Sequence, residues 1–320
     1  LEGVLIGLEE GEPLEMIGRA TDFDISADGL YYVDFEYGHV RAYDFLGNLT
    51  AVIGKRGEGP EEFPFVQQVS VTRTVDAPLL VVGASSRRIS VFKQEGAAWV
   101  LRNYFHTAHY FGDGDLCAMQ DHVYTIGYSE EQPGVIHKYT LEGELVLSFG
   151  EPYGDSNPFI RSNLSERGTL DCNETHHTIA YADDLNPVVT GFSDTGVTRW
   201  RVELADASIA PTPQRRTDAG QTTISFPSHG SGDTSSIRFI PATDSDLFFV
   251  SYLIYGSEGA EQQHVYSVNV VSGDGKYIGY HPFRINDTSV LVKAIDAQRI
   301  YTTVYKGFPQ IGIYPRSFTR

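Results

Sequence analysis

The residues best suited to chemistry in this chain are carboxylates, two lone cysteines and a scatter of histidines, set in short alternating runs. Asp22 and Asp24 lie in TDFDIS, Asp113 and Asp115 in GDGDLCAM and Asp171 in TLDCN, with Arg238 in SIRFI and Lys293 in SVLVKAI. Oxygen ligands converging from several such runs would suit Ca²⁺. The plainer reading is that acids at strand ends serve structure, and it is the one favoured here. The ten histidines include His106, His109, His122, His137, His176, His177, His229 and His264. No H-x-H or H-E-x-x-H spacing occurs among them. Cys172 with His176 looks ligand-like, yet His176 and His177 are neighbours on an expected strand and point to opposite faces. Nothing resembles a nucleophile elbow, and GKRGEGP is not a phosphate loop because no Gly-Lys-Ser/Thr follows.

The elements that would have to position these residues are read from glycines. A glycine-centred tight turn separates two alternating apolar runs at Gly47, Gly96, Gly143, Gly196 and Gly275, with gaps of 49, 47, 53 and 79 residues. A recurring interval of this size marks an array of one supersecondary unit. The clearest copy, TDFDIS-ADG-LYYVDF-EYG-HVRAYD-FLG-NLTAVIG, holds four period-2 runs joined by three short turns, hence one antiparallel four-stranded sheet. Six such copies account for the chain, but the last, ending in QIGIY, lacks a strand. GVLIGLEE, residues 3–10, is unpaired at the other end and is expected to complete it. The expected fold is all-β: a single six-bladed β-propeller over residues 1–320, with four antiparallel strands per blade. Cys117 and Cys172 then fall in the first strands of consecutive blades, close enough to pair as a disulfide. A bridge would imply an oxidising compartment.

Blade one and its exit, Thr21 to Phe63 with VIGKRGEGPEEF at its end, resemble the NHL-type six-bladed β-propeller family of bacteria. The resemblance implies the fold and little about activity, since that family spans lyases, sensors and scaffolds. Propeller enzymes of this kind place ligands on the innermost strands. On that resemblance Asp22, Asp24, Asp113, Asp115, Asp171, Arg238 and Lys293 are the candidates to line an axial channel.

Composition narrows the partners. Forty-two acidic residues against 24 basic give a net charge of -18, so a nucleic-acid backbone would be repelled. No apolar run approaches the ~18 residues of a membrane span. The chain begins at Leu1 without methionine, which is expected of a processed N-terminus. Sequons stand at Asn48, Asn163, Asn173 and Asn286, the first two in loops. Polar insertions are expected at 151–168, 205–234 and 255–263. The leading expectation is a non-enzymatic exported propeller, secreted, periplasmic or extracellular, that recognises a protein or glycan through its loop face or serves as a scaffold. The alternative is a metal-dependent propeller lyase or lactonase with its site in the channel. Self-assembly by exchange of the N-terminal strand is a further expectation, with closure inside one ring favoured.

Overall fold

The computed structural model describes residues 4–73, 76–85, 87–109, 115–155, 157–183, 186–204, 214–218, 221–225, 234–243, 246–258, 261–285, 290–305 and 307–316. Asp113, His229 and Asn286 lie outside them. The strands form six four-stranded antiparallel sheets, the blades of a six-bladed β-propeller. Their innermost strands, in order, are Ala20–Ile25, Val66–Arg73, Leu116–Met119, Thr169–Asn173, Thr234–Ile240 and Val290–Ile295. Each inner strand abuts the next, and the sixth abuts the first, so the ring closes.

The blades are held together by six apolar layers, one per seam. Val82, Val40 and Phe92 fill the seam of blades one and two, for example, while Tyr32, Tyr301 and Ile311 fill that between six and one. All six side chains are buried. Because both faces of a sheet are covered, middle strands such as Leu30–Asp34 and His39–Tyr43 are buried along their whole length, which hides any alternation in burial.

The repeat-defining glycines have two duties. All five have positive φ, between 64° at Gly96 and 94° at Gly143, as the turn before each outer strand requires. Three also lie against an aromatic side chain of the preceding blade. A Cβ at Gly143 would meet Phe105 at 2.5 Å, one at Gly196 would meet Phe149 at 2.8 Å, and one at Gly275 would meet Trp200 at 2.2 Å. The period is therefore a packing requirement of the seam as well as a turn signal.

Blade six is completed by the N-terminal strand, as expected, though over fewer residues. Val4–Ile6 pairs antiparallel with Pro309–Pro315, in the register Val4↔Ile313 and Ile6↔Ile311. Residues 7–10 are not strand. Instead the Leu8 amide donates to the Glu15 carbonyl at 2.9 Å, closing a compact loop. The segment that follows is fixed by buried Arg41, which donates to the carbonyls of Pro13, Leu14 and Met16. Removing residues 1–7 is expected to expose the edge of Pro309–Pro315 and cause concentration-dependent association, measured by light scattering. If a peptide of the missing strand restores a monomer, closure within one ring is supported. A truncated chain that stays monomeric at all concentrations would show that the strand does not protect this edge.

Two insertions differ from the loops expected for them. Within 151–168 the chain forms an α-helix, Pro158–Ser165, capped by Asn157, whose side chain accepts from the amides of Phe159 and Ile160. Asn163 therefore sits on a helix and not in a loop. At 255–263 the polar residues extend a hairpin, because Leu247–Glu258 and Glu261–Ser272 pair along their full described length. In the remaining insertion, Gln214–Asp218 pairs with Gln221–Ser225, so Arg215 and Arg216 lie on a strand.

Candidate functional site

An inner strand at a propeller axis has one edge that cannot join a ladder, and its amides need acceptors from elsewhere. In this chain the candidate channel acids supply several of them. Asp22 accepts from the Val69 amide at 2.8 Å and Asp24 from that of Val71 at 2.6 Å, so blade one serves blade two. Ser70 of blade two accepts from the Ala118 amide at 3.0 Å. Asp115 of blade three accepts from the Thr169 hydroxyl at 2.7 Å and the Leu170 amide at 3.2 Å. Thr169 in turn accepts from the Phe239 amide of blade five at 3.3 Å. The alternation of polar and apolar residues in TDFDIS thus serves two purposes: Phe23 and Ile25 enter the core, while the aspartates between them staple the neighbouring blade.

Stapling places several carboxyls deep in one narrow space. Burial, reinforced by the negative neighbours, raises the Asp22 and Asp171 carboxyls well above the usual range, and burial raises that of Asp115. Burial likewise moves Asp24 up to about 7, against the lowering effect of its backbone hydrogen bonds. Lys293, beside Phe23, is pushed down by burial and by Arg238, although Asp22 opposes the shift. Arg238 is exposed and lowers Asp115. The described candidates are therefore brought together electrostatically. Among the described residues, no group of three or more His, Cys, Asp or Glu side chains has the arrangement of a metal site.

Toward one end the channel opens into a cavity of about 280 Å³, lined in part by Asp24, Ser70, Thr72, Asp171, Asn173 and Glu174. The Thr72 hydroxyl donates to Glu174 across this mouth. One wall is the disulfide between Cys117 and Cys172, whose Cα atoms are 5.7 Å apart on the inner strands of blades three and four. That bond occupies Cys172 and removes it as a partner for His176, whose Nε2 lies 3.6 Å from Asp246. Asn173 is buried, and its side-chain oxygen accepts from the His176 amide, so its sequon is sealed into the fold. Asn48 and Asn163 are exposed.

These raised carboxyls set a sign for pH dependence. Folded Asp24 retains a proton that the unfolded chain releases near its ordinary pKa, so its contribution is fully present below about pH 4 and is lost as pH rises through about 7. Asp171, raised first by burial and then by the nearby Asp24 and Asp115 carboxyls, follows the same sign. Asp171→Asn is expected to raise stability at pH 8, where the buried carboxyl is under pressure to ionise, and to change it little at pH 4. Thermal melts of both proteins at the two pH values test this. A stabilisation equal at both would mean that charge is not its cause.

Sequence reading missed a second buried group, in blade three. His109 and His137 stack with ring centroids 4.0 Å apart. His109 contacts the hydroxyls of Thr125 at 2.9 Å and Tyr139 at 3.1 Å, while His137 contacts Ser148 and the Gly127 carbonyl. Burial holds both imidazoles below their ordinary value, His109 down to about 3. The sequence signal was present but indirect: Gly127 directly follows the strand His122–Ile126, and a Cβ there would meet the His109 ring at 1.8 Å.

No protein-family model and no curated protein matches the chain. Solved structures do match, across nearly its whole length. A member of the DUF4221 family from Bacteroides vulgatus superposes with a TM-score of 0.59 at 10% identity, covering 99% of this chain and 96% of that one. A candidate exported protein from Bacteroides fragilis gives 0.57 at 6% identity, covering 99% and 95%. A streptogramin B lyase gives 0.52 at 8% identity, covering 98% of each. What is shared is the propeller fold. At these identities the likeness carries no activity from one protein to another.

Proposed function

We propose that this chain is an exported, non-enzymatic β-propeller of NHL type that binds a protein or glycan outside the cytoplasm. The observation that carries the reading is the use of Asp22, Asp24 and Asp115 as acceptors for the neighbouring blades' amides. Acids committed in this way, and raised in pKa, are poor ligands for a divalent cation, which needs ionised oxygens free to turn toward it. The disulfide suits an oxidising compartment, and likeness to a candidate exported protein agrees with that placement. No helix of the described residues is long and apolar enough to cross a membrane.

Elemental analysis of protein purified in the presence of Ca²⁺ and Zn²⁺ tests the non-metal reading, together with thermal melts with and without a chelator. Sub-stoichiometric metal and an unchanged melting temperature are expected. One tightly held ion per chain, with a chelator-dependent melt, would overturn it in favour of a channel lyase or lactonase.

A further inference from the structure

A second cavity, of about 550 Å³, lies away from the axis in the crevice between blades three and four. One wall is the sheet of blade four, which presents Tyr181, Thr190, Thr198 and Arg201. The opposite wall is supplied by the inserted segment, with Glu151 and Tyr153 before the helix and Leu164 and Ser165 at its end. The Ser165 hydroxyl accepts from the Tyr153 amide at 2.8 Å, which fixes the loop to the helix. Neither blade needs this insertion: blade three is complete at Phe149 and blade four begins at Thr169.

We propose that this crevice is a binding site for a neutral saccharide, an inference that rests on reading the chain as a binding module and names the ligand class. Its volume lies within the range of about 300–1,000 Å³ common to small-molecule sites. Thr190, Thr198 and Arg201 make no side-chain hydrogen bond or ion pair among the described residues, although all three line the cavity. Arg201 presents parallel N–H donors whose spacing suits two adjacent hydroxyls, and the threonine hydroxyls can donate or accept. At the rim Asn186 donates to Asp183 at 2.8 Å, adding acceptors and an amide to the same opening. The half-buried rings of Tyr153 and Tyr181 supply the apolar surface against which the C–H face of a pyranose packs. Glu151, Asp183 and Arg201 all line the cavity, so it carries charges of both signs. An uncharged, hydroxyl-rich ligand with one apolar face fits these requirements together.

Titration of the metal-free protein with cellobiose, lactose and maltose, followed by calorimetry, tests the proposal. Saturable binding of at least one disaccharide is expected, weakened roughly tenfold or more by Arg201→Ala and by Tyr153→Ala. Thermal melts of both variants confirm folding, and Thr190→Val, which keeps the side-chain shape, supplies a third change with little risk to the sheet. Flat titrations with all three sugars would overturn the proposal, as would binding that the three variants leave unchanged. Either result is separate from failure of the binding-module reading, which is scored by metal content and chelator sensitivity.

Discussion

Arg41→Ala is expected to destabilise the protein by about 3–5 kcal/mol, the range for breaking a buried ion pair from one side. Arg41 and Asp34 are both fully buried, with Nη2 and Oδ2 3.1 Å apart. Removing the guanidinium leaves the Asp34 carboxylate in the core with only the Gly18 and Tyr37 amides and the Tyr32 hydroxyl as partners. It also strands the carbonyls of Pro13, Leu14 and Met16, so the segment linking the N-terminal strand to blade one loses its anchor. Arg41→Lys should rescue little, since one ammonium cannot replace a fork that also donates through Nε to His39 at 2.8 Å. Burial, then the Arg41 charge, lowers His39 to about 4. Its contribution to stability is therefore present above about pH 6.5 and is lost as pH falls through about 4. Denaturant unfolding at pH 7 measures the Arg41 effect. A loss below about 1 kcal/mol would mean that the pair is not the anchor described.

The second large effect is expected from the disulfide. Cys117 and Cys172 are separated by 55 residues, and opening a loop of that length should cost about 4 kcal/mol in the chain-entropy account. Cys117→Ser and Cys172→Ser together, compared with the oxidised parent, give the value. In that account the bridge acts by restricting the unfolded chain, so the loss should appear in global unfolding. Intact mass under non-reducing conditions, before and after alkylation, establishes the bond itself. Two alkylatable thiols in unfolded, unreduced protein would refute it.

The fold was legible because its signals are local and repeated. Turn glycines, period-2 runs and the orphan strand at residues 3–10 each follow from backbone chemistry, and a ring leaves few other ways to pair them. The disulfide was legible for the same reason, since equivalent positions in adjacent repeats are neighbours in space. What the sequence concealed depends on partners distant along the chain. TDFDIS announces two aspartates facing away from the core, but that they accept from Val69 and Val71 is visible only once blade two is in place. His109 and His137 are 4.0 Å apart through the folding of blade three, and no spacing rule reports that contact. The helix Pro158–Ser165 was hidden by its brevity and by the Pro, Ser and Asn that opened the insertion to a loop reading.

Joining Val4–Ile6 to Pro309–Pro315 also sets an order of events. The first of these segments to be synthesised has no partner until the last is made. Blades one to five hold all their strands in sequence and can assemble as the chain grows, whereas the sixth waits for completion. Until then the ring stays open at one seam, and Leu30 and Tyr32 of blade one lack the cover that Tyr301 and Ile311 later supply. One face of the first blade to be made is thus the last to be covered.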